Sequence, residues 1–92
     1  MVDPAGRGVL VFNGEIYNYT EIRDQLLREG IVLRGTSDTE VLLQSILFFG
    51  LEATLTKLQG MYAFAFYDAA HTELVLVRDP MGIKPLVYTS AP

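Results

Sequence analysis

Residues 37–50, Ser-Asp-Thr-Glu-Val-Leu-Leu-Gln-Ser-Ile-Leu-Phe-Phe-Gly, constrain this chain more than any other stretch. Ser37 with Glu40 three residues later is the pattern of a capping box. In it a hydroxyl and a carboxylate satisfy N–H groups that the first helical turn leaves free. The pattern predicts a helix from Asp38 to about Phe49, stopped by Gly50. Val41, Leu42, Leu43, Ile46, Leu47, Phe48 and Phe49 make it apolar on most of its circumference, so it needs cover on more than one side. A chain of 92 residues can build one compact core and no second domain. The other elements must therefore be layers against this helix.

Those elements can be read from their patterns. Gly8 to Phe12 is a short apolar run with two β-branched residues, expected to be a buried strand. Tyr19 to Glu29 has the helical stripe Tyr19, Ile22, Leu26, widened by Leu27, with Asn18 or Thr20 able to cap it and Gly30 suited to the residue after its end. Ile31 to Leu33 is a short extended stretch. A short helix should follow Gly50, carrying Leu51, Leu55 and Leu58 and ending at Gly60. Met61 to Asp68 and Glu73 to Arg78 are rich in aromatic and β-branched residues and read as strands, joined at hairpin length by residues 69–72. Asp79-Pro80-Met81-Gly82 suits a β-turn, and Ile83 to Thr89 a last strand with Pro85 at an edge or bulge. Strand, two or three helices, then antiparallel strands is the order of an α+β layered sandwich, not of a doubly wound sheet. Residues 1–7 read as a polar lead-in.

Composition removes several classes of function. Seven Lys and Arg face eleven Asp and Glu, for a net charge of −4. The basic residues are scattered, so no stripe exists to neutralise phosphates or an anionic membrane surface, and neither nucleic acid nor membrane is an expected partner. There is no cysteine, which excludes disulfides, thiolate catalysis and zinc-thiolate sites within these residues. The start of the chain lacks a signal pattern, and the longest apolar run, Met61 to Tyr67, is far short of a membrane span. A cytoplasmic location is the expectation. His71, in a turn without a second ligand, reads as solvated, and no metal or cofactor is expected.

Asn13-Gly14 supports two readings. Locally, Asn-Gly beside an apolar run marks a hairpin turn. Chemically, Asn offers an amide donor and Gly lets a backbone N–H approach a ligand closely, a pairing able to hold a developing oxyanion. The surrounding residues bear on the choice. Phe12-Asn13-Gly14-Glu15-Ile16-Tyr17-Asn18-Tyr19 resembles the hallmark segment of class II glutamine amidotransferases, and is most similar to the asparagine synthetase type. Three more blocks follow in that family's order: residues 36–43 (Thr-Ser-Asp-Thr-Glu-Val-Leu-Leu), 58–65 (Leu-Gln-Gly-Met-Tyr-Ala-Phe-Ala) and 78–86 (Arg-Asp-Pro-Met-Gly-Ile-Lys-Pro-Leu). Together they cover about residues 9 to 88.

The resemblance implies a partial N-terminal-nucleophile hydrolase fold over residues 8–89, truncated at both ends. It implies that a cysteine at the mature N-terminus attacks the side-chain amide of L-glutamine, with its own α-amino group as base, and that ammonia passes to a separate synthetase domain. By the same resemblance Asn13 and Gly14 correspond to the oxyanion hole, and Glu15 and Asp38 to acidic residues that hold the α-amino group of bound glutamine. Without it, Asp38 reads as a helix-dipole acid and Glu15 as an exposed strand residue. This sequence departs from the family in having no nucleophile. Removal of Met1 would expose Val2, and the family's first strands, with an arginine for the glutamine carboxylate, have no counterpart here. The expectation is a chain inactive alone, working with a complementary amidotransferase chain or, as the alternative, serving as an oligomeric binding or assembly module that keeps only the scaffold. Its apolar helix at Asp38–Phe49 argues for a homo-oligomer. Tyr17, Tyr62, Phe64 and Phe66 are expected in the core. Autoproteolysis at Gly35-Thr36 is disfavoured, since isolated dipeptides are poor motifs.

Overall fold

The structure is a computed structural model that describes residues 1–35, 37–79 and 86–90. Among them run β1 (Gly8–Ile16), α1 (Tyr19–Arg28), α2 (Asp38–Phe49), α3 (Leu51–Lys57), β2 (Gly60–Asp68), β3 (Glu73–Arg78) and β4 (Leu86–Ser90). The strands form one antiparallel sheet in the order β1-β2-β3-β4. The three helices lie between β1 and β2 in sequence, and α2 packs against β1. The architecture is α+β, as the element order implied.

The sheet has two unlike faces because side chains alternate along each strand. Leu10, Tyr62, Phe64, Phe66, Val75 and Val77 point to the helices and join Ile22, Leu26, Val41, Leu42, Leu43 and Ile46 in one core. The opposite face is open. It carries Val9, Val11, Met61, Tyr67, Leu74 and Leu76, all exposed. This relocates the surplus apolar surface. Val41 to Ile46 of α2 are buried within the chain, so the helix expected to need a partner is largely covered, and the open sheet face is the larger uncovered apolar surface. Of the four aromatics expected in the core, Tyr17 is 64% exposed, while Tyr62, Phe64 and Phe66 are buried.

β1 is longer than its apolar run and passes straight through Asn13-Gly14. The local hairpin reading is therefore overturned: these residues pair with β2, Asn13 opposite Ala63 and Gly14 opposite Tyr62. The reason for the glycine is a close approach. Gly14 has φ +124°, and a Cβ there would lie 2.1 Å from the Met61 carbonyl oxygen. Gly60 faces β1 in the same way, its would-be Cβ 2.1 Å from the Glu15 oxygen. The hairpin at residues 69–72 joins β2 and β3 as expected, with Thr72 at φ 50°. The β-turn expected at Asp79–Gly82 lies mostly outside the described residues, as does the start expected for the last strand.

Residues 1–7, expected only as a polar lead-in, fold back along the outer edge of β1. Val2 bridges to Val9, Leu10 N–H donates to the Met1 oxygen at 2.8 Å, and Asp3 N–H donates to the Gly8 oxygen at 2.9 Å. Asp3 anchors this segment. It is 2% exposed and accepts from Arg7 Nε at 2.8 Å, Arg7 Nη2 at 3.0 Å and Gln44 Nε2 of α2 at 3.0 Å. The Arg7 guanidinium holds the Asp3 carboxyl well below the usual carboxylate range, against the opposing effect of burial. A carboxyl depressed in the folded state stabilises above its unfolded value and loses that contribution as pH falls through the folded value. Asp3→Asn should therefore cost about 1–3 kcal/mol at neutral pH. The gap from wild type should stay open at pH 4 and narrow only in stronger acid, as read by urea unfolding across pH.

Candidate functional site

Asn13, Gly14 and Glu15 sit consecutively on β1, and the ladder fixes where each group points. In an antiparallel pair, residues alternate between those exchanging hydrogen bonds with the partner and those facing away from it. At one end of the β1–β2 pairing, Tyr17 N–H donates to the Gln59 oxygen at 2.6 Å; at the other, Ala69 N–H donates to the Arg7 oxygen at 3.0 Å. The register is constant between them, so odd-numbered residues of β1 bond to β2 and even-numbered ones face the outer edge. Gly8 and Leu10 use that edge to pair with residues 1–3. Gly14 is also even-numbered, and β1 is the first strand of the sheet. Among the described residues nothing pairs with its N–H.

Asn13 is exposed and shares the open face with Val11. It borders a depression of about 320 Å³ floored by Ala63 and Ala65 and walled by Val11 and Leu76. The small alanines of β2 create the hollow and the longer neighbours its rim. The Asn13 side chain thus rises from the open face while the next residue's N–H leaves the edge. Two neutral donors belong to consecutive residues, one on the open face and one at the strand edge. Such a pair suits an oxygen that gains negative charge. Glu15 is exposed, one residue further along the same face.

Asp38 is the first residue of α2 and half-buried. Among the described residues no hydrogen bond or ion pair joins it to Asn13, Gly14 or Glu15. The surroundings of Asp38 are more ordered than its sequence suggests. Ser37 Oγ accepts from Glu40 N–H at 3.2 Å, the expected half of the capping box. The Glu40 carboxylate, however, reaches past Ser37 and accepts from Arg34 N–H at 2.7 Å and Gly35 N–H at 2.8 Å. It clamps the loop that leads into Asp38. A cavity of about 470 Å³ lies between this loop and the segment pairing with β1, lined by Val2, Arg34, Gly35, Ser37, Glu40 and Gln44 among others.

Two features escaped the sequence reading. Asn18 does not cap α1 through its side chain. Its amide donates to the Lys57 oxygen at 2.6 Å and its oxygen accepts from Gln59 N–H at 3.0 Å. It ties the end of β1 to the turn entering β2, a link across 41 residues that no local pattern announces. His71, expected to be simply solvated, is 77% exposed but bonded through Nδ1 to Asp68 at 2.7 Å. That contact with Asp68 raises the imidazole pKa above its ordinary value. The pair lies at the β2–β3 turn, on neither element that carries the candidate residues. Among the described residues no cluster of His, Cys, Asp and Glu could hold a metal ion, and no helix is long and apolar enough to cross a membrane.

Comparison with known proteins places this geometry in a family. The model of the glutamine amidotransferase domain family matches residues 1–92, and the chain belongs to that family. It is 51% identical over 81 residues to a putative glutamine-hydrolysing asparagine synthetase of Mycobacterium bovis, covering 87% of this chain and 12% of that protein. It is 47% identical over 81 residues to asparagine synthetase [glutamine-hydrolyzing] 1 of Bacillus subtilis, covering 88% of this chain and 13% of that protein. An amidase, chyE of Penicillium rubens, is 40% identical over 79 residues, covering 86% of this chain and 12% of its own length. The chain thus spans about an eighth of the length of these relatives.

The close approach at Gly14 generates a direct expectation. Gly14→Ala would force its Cβ into the Met61 carbonyl and should destabilise the protein by more than about 3 kcal/mol. Asn13→Ala, on the open face, should change stability by less than about 0.5 kcal/mol. Chemical denaturation of the two variants side by side checks both.

Proposed function

We propose that this chain is part of a glutaminase unit of the asparagine synthetase type, which releases ammonia from L-glutamine. Its contribution is the electrostatic half of the site. The supporting observation is the Gly14 N–H, left without a β2 partner at the sheet edge beside the exposed Asn13 side chain. The sandwich fold of N-terminal-nucleophile hydrolases is part of the same reading, since the open apolar face offers a second layer a place to pack.

In this reading a thiolate supplied from outside these 92 residues adds to the δ-carbon of glutamine. The amide carbonyl becomes an oxyanion, received by the Asn13 amide and the Gly14 N–H. Collapse expels ammonia once the nitrogen is protonated, and water then hydrolyses the thioester to glutamate. Losing one donor to such an oxyanion typically costs ~2.7–4 kcal/mol of barrier. Glu15 and Asp38 address the other end of the substrate, where the α-ammonium suits carboxylate acceptors. The ammonia acceptor belongs to the rest of the enzyme.

Since no cysteine is present, the 92 residues alone should release no ammonia from glutamine above background. L-Glutamine should still shift amide resonances confined to residues 13–18 and 37–40 in an NMR titration. Ammonia release abolished by Asn13→Ala would contradict the first expectation, and shifts spread elsewhere or absent would contradict the second. When a complementary nucleophile-bearing chain is supplied, Asn13→Ala should lower kcat about 100- to 1,000-fold.

A second reading, a scaffold working by association, draws on the exposed face bearing Val11, Met61, Leu74 and Leu76. Contiguous apolar surface of this kind favours association, here with a second copy. Sedimentation at micromolar concentration should then show a dimer that Leu76→Lys dissociates. A wild-type monomer would remove this reading.

A further inference from the structure

We infer that Glu40 is the positioning residue for Asp38, setting the place of that carboxylate relative to the Asn13–Gly14 rim; the inference rests on the glutamine-site reading above. Three observations carry it. The Glu40 side chain is 8% exposed and spends one oxygen on each of two consecutive backbone N–H groups, Arg34 at 2.7 Å and Gly35 at 2.8 Å. A fork of this kind fixes direction as well as distance. The Glu40 N–H simultaneously donates to Ser37 Oγ. The chain is thus held on both sides of the turn into α2 by one residue.

Asp38 has no anchor of its own. Among the described residues it makes no side-chain hydrogen bond or ion pair, so its position is inherited from the backbone around it. Across the cavity of about 470 Å³ from this loop stands Val2, which bridges to Val9 of β1. The clamped loop therefore faces, over open space, the N-terminal segment that pairs with the first half of β1. Free space on one side makes the clamp matter: without it the loop has room to move and Asp38 moves with it.

The carboxylate is suited to this task. Glu40 forms no ion pair among the described residues; it stands in the first turn of α2, where the helix dipole favours an anion, and its charge is met by the Arg34 and Gly35 N–H groups of the preceding loop. Backbone donors cannot swing away as a lysine or arginine can. Replacing one oxygen by an amide group would set a donor against a donor and release one arm of the fork.

The test uses two ligands that differ at one group: L-glutamine and glutaramic acid, which is glutamine without the α-amino group. Their affinities are measured by NMR or calorimetric titration of the same protein. Wild type should prefer L-glutamine, because the ammonium meets the carboxylates. Glu40→Gln should narrow that preference by about tenfold, the scale of one charge-assisted bond. Asp38→Asn should narrow it comparably, and the double variant no further, since the two changes act through one group. If E40Q fails to fold, Glu40→Asp reads the same ratio, because it keeps the charge and shortens the reach. An unchanged ratio in E40Q or, in that case, in E40D overturns the positioning role while glutamine binding stands, as does narrowing that adds to that of D38N. Absence of any L-glutamine binding in wild type overturns the site reading and this inference with it.

Discussion

The pairing of β1 with β2 is the constraint on which the rest of the structure depends. The two strands meet across three intervening helices, and the meeting is tight enough that only glycine fits at positions 14 and 60, one on each strand. Closing so long a loop costs entropy that neither strand repays alone. The helices repay it by packing on one sheet face, with α2 contributing six consecutive buried residues from Val41 to Ile46. Asn18 adds a polar tie at the point where the two strands separate, bonding to Lys57 and Gln59 at once.

This pairing also explains how a structural necessity creates a chemical opportunity. An edge strand leaves every second N–H unpaired, and most proteins cover or blunt such an edge. Here, among the described residues, residues 1–3 pair with β1 as far as Leu10. Gly14 lies beyond that cover, with no side chain of its own to obstruct the approach to its N–H. The preceding residue is an asparagine whose side chain rises from the open face. Stability asks for a glycine at position 14, and the same glycine leaves a donor accessible. In the proposed reading an amide is hydrolysed through an oxyanion, and two adjacent donors of this kind suit that chemistry.

Much of the fold was legible because its signals were local. The capping pattern at Ser37 and Glu40 and the apolar run behind it located α2 at Asp38–Phe49, as found. β3 at Glu73–Arg78 followed from β-branched residues and the turn before it. Legibility failed where distant residues decide. Asn13-Gly14 looks like a hairpin turn in isolation and is strand interior because β2, some 50 residues on, supplies a partner. Asp3 looks like part of a polar lead-in and is buried because Gln44 and Arg7 satisfy it. Of the candidate site, Asn13 to Glu15 came from resemblance to a family, since no periodicity distinguishes a strand glycine with an idle N–H from one without. The clamp formed by Glu40 was half visible: spacing gave the cap, whereas only coordinates show the carboxylate turned onto Arg34 and Gly35.

The central claim is that the Gly14 N–H faces the open edge of β1 and is available to a ligand. Amide hydrogen exchange read residue by residue tests it most directly, because protection follows hydrogen bonding. After correction for intrinsic rates, Asn13 and Glu15 should be strongly protected, Gly14 and Phe12 weakly so, and Leu10 again protected by its bond to Met1. If Gly14 proves as protected as its two neighbours, its N–H already has a partner, and the proposed oxyanion donor does not exist.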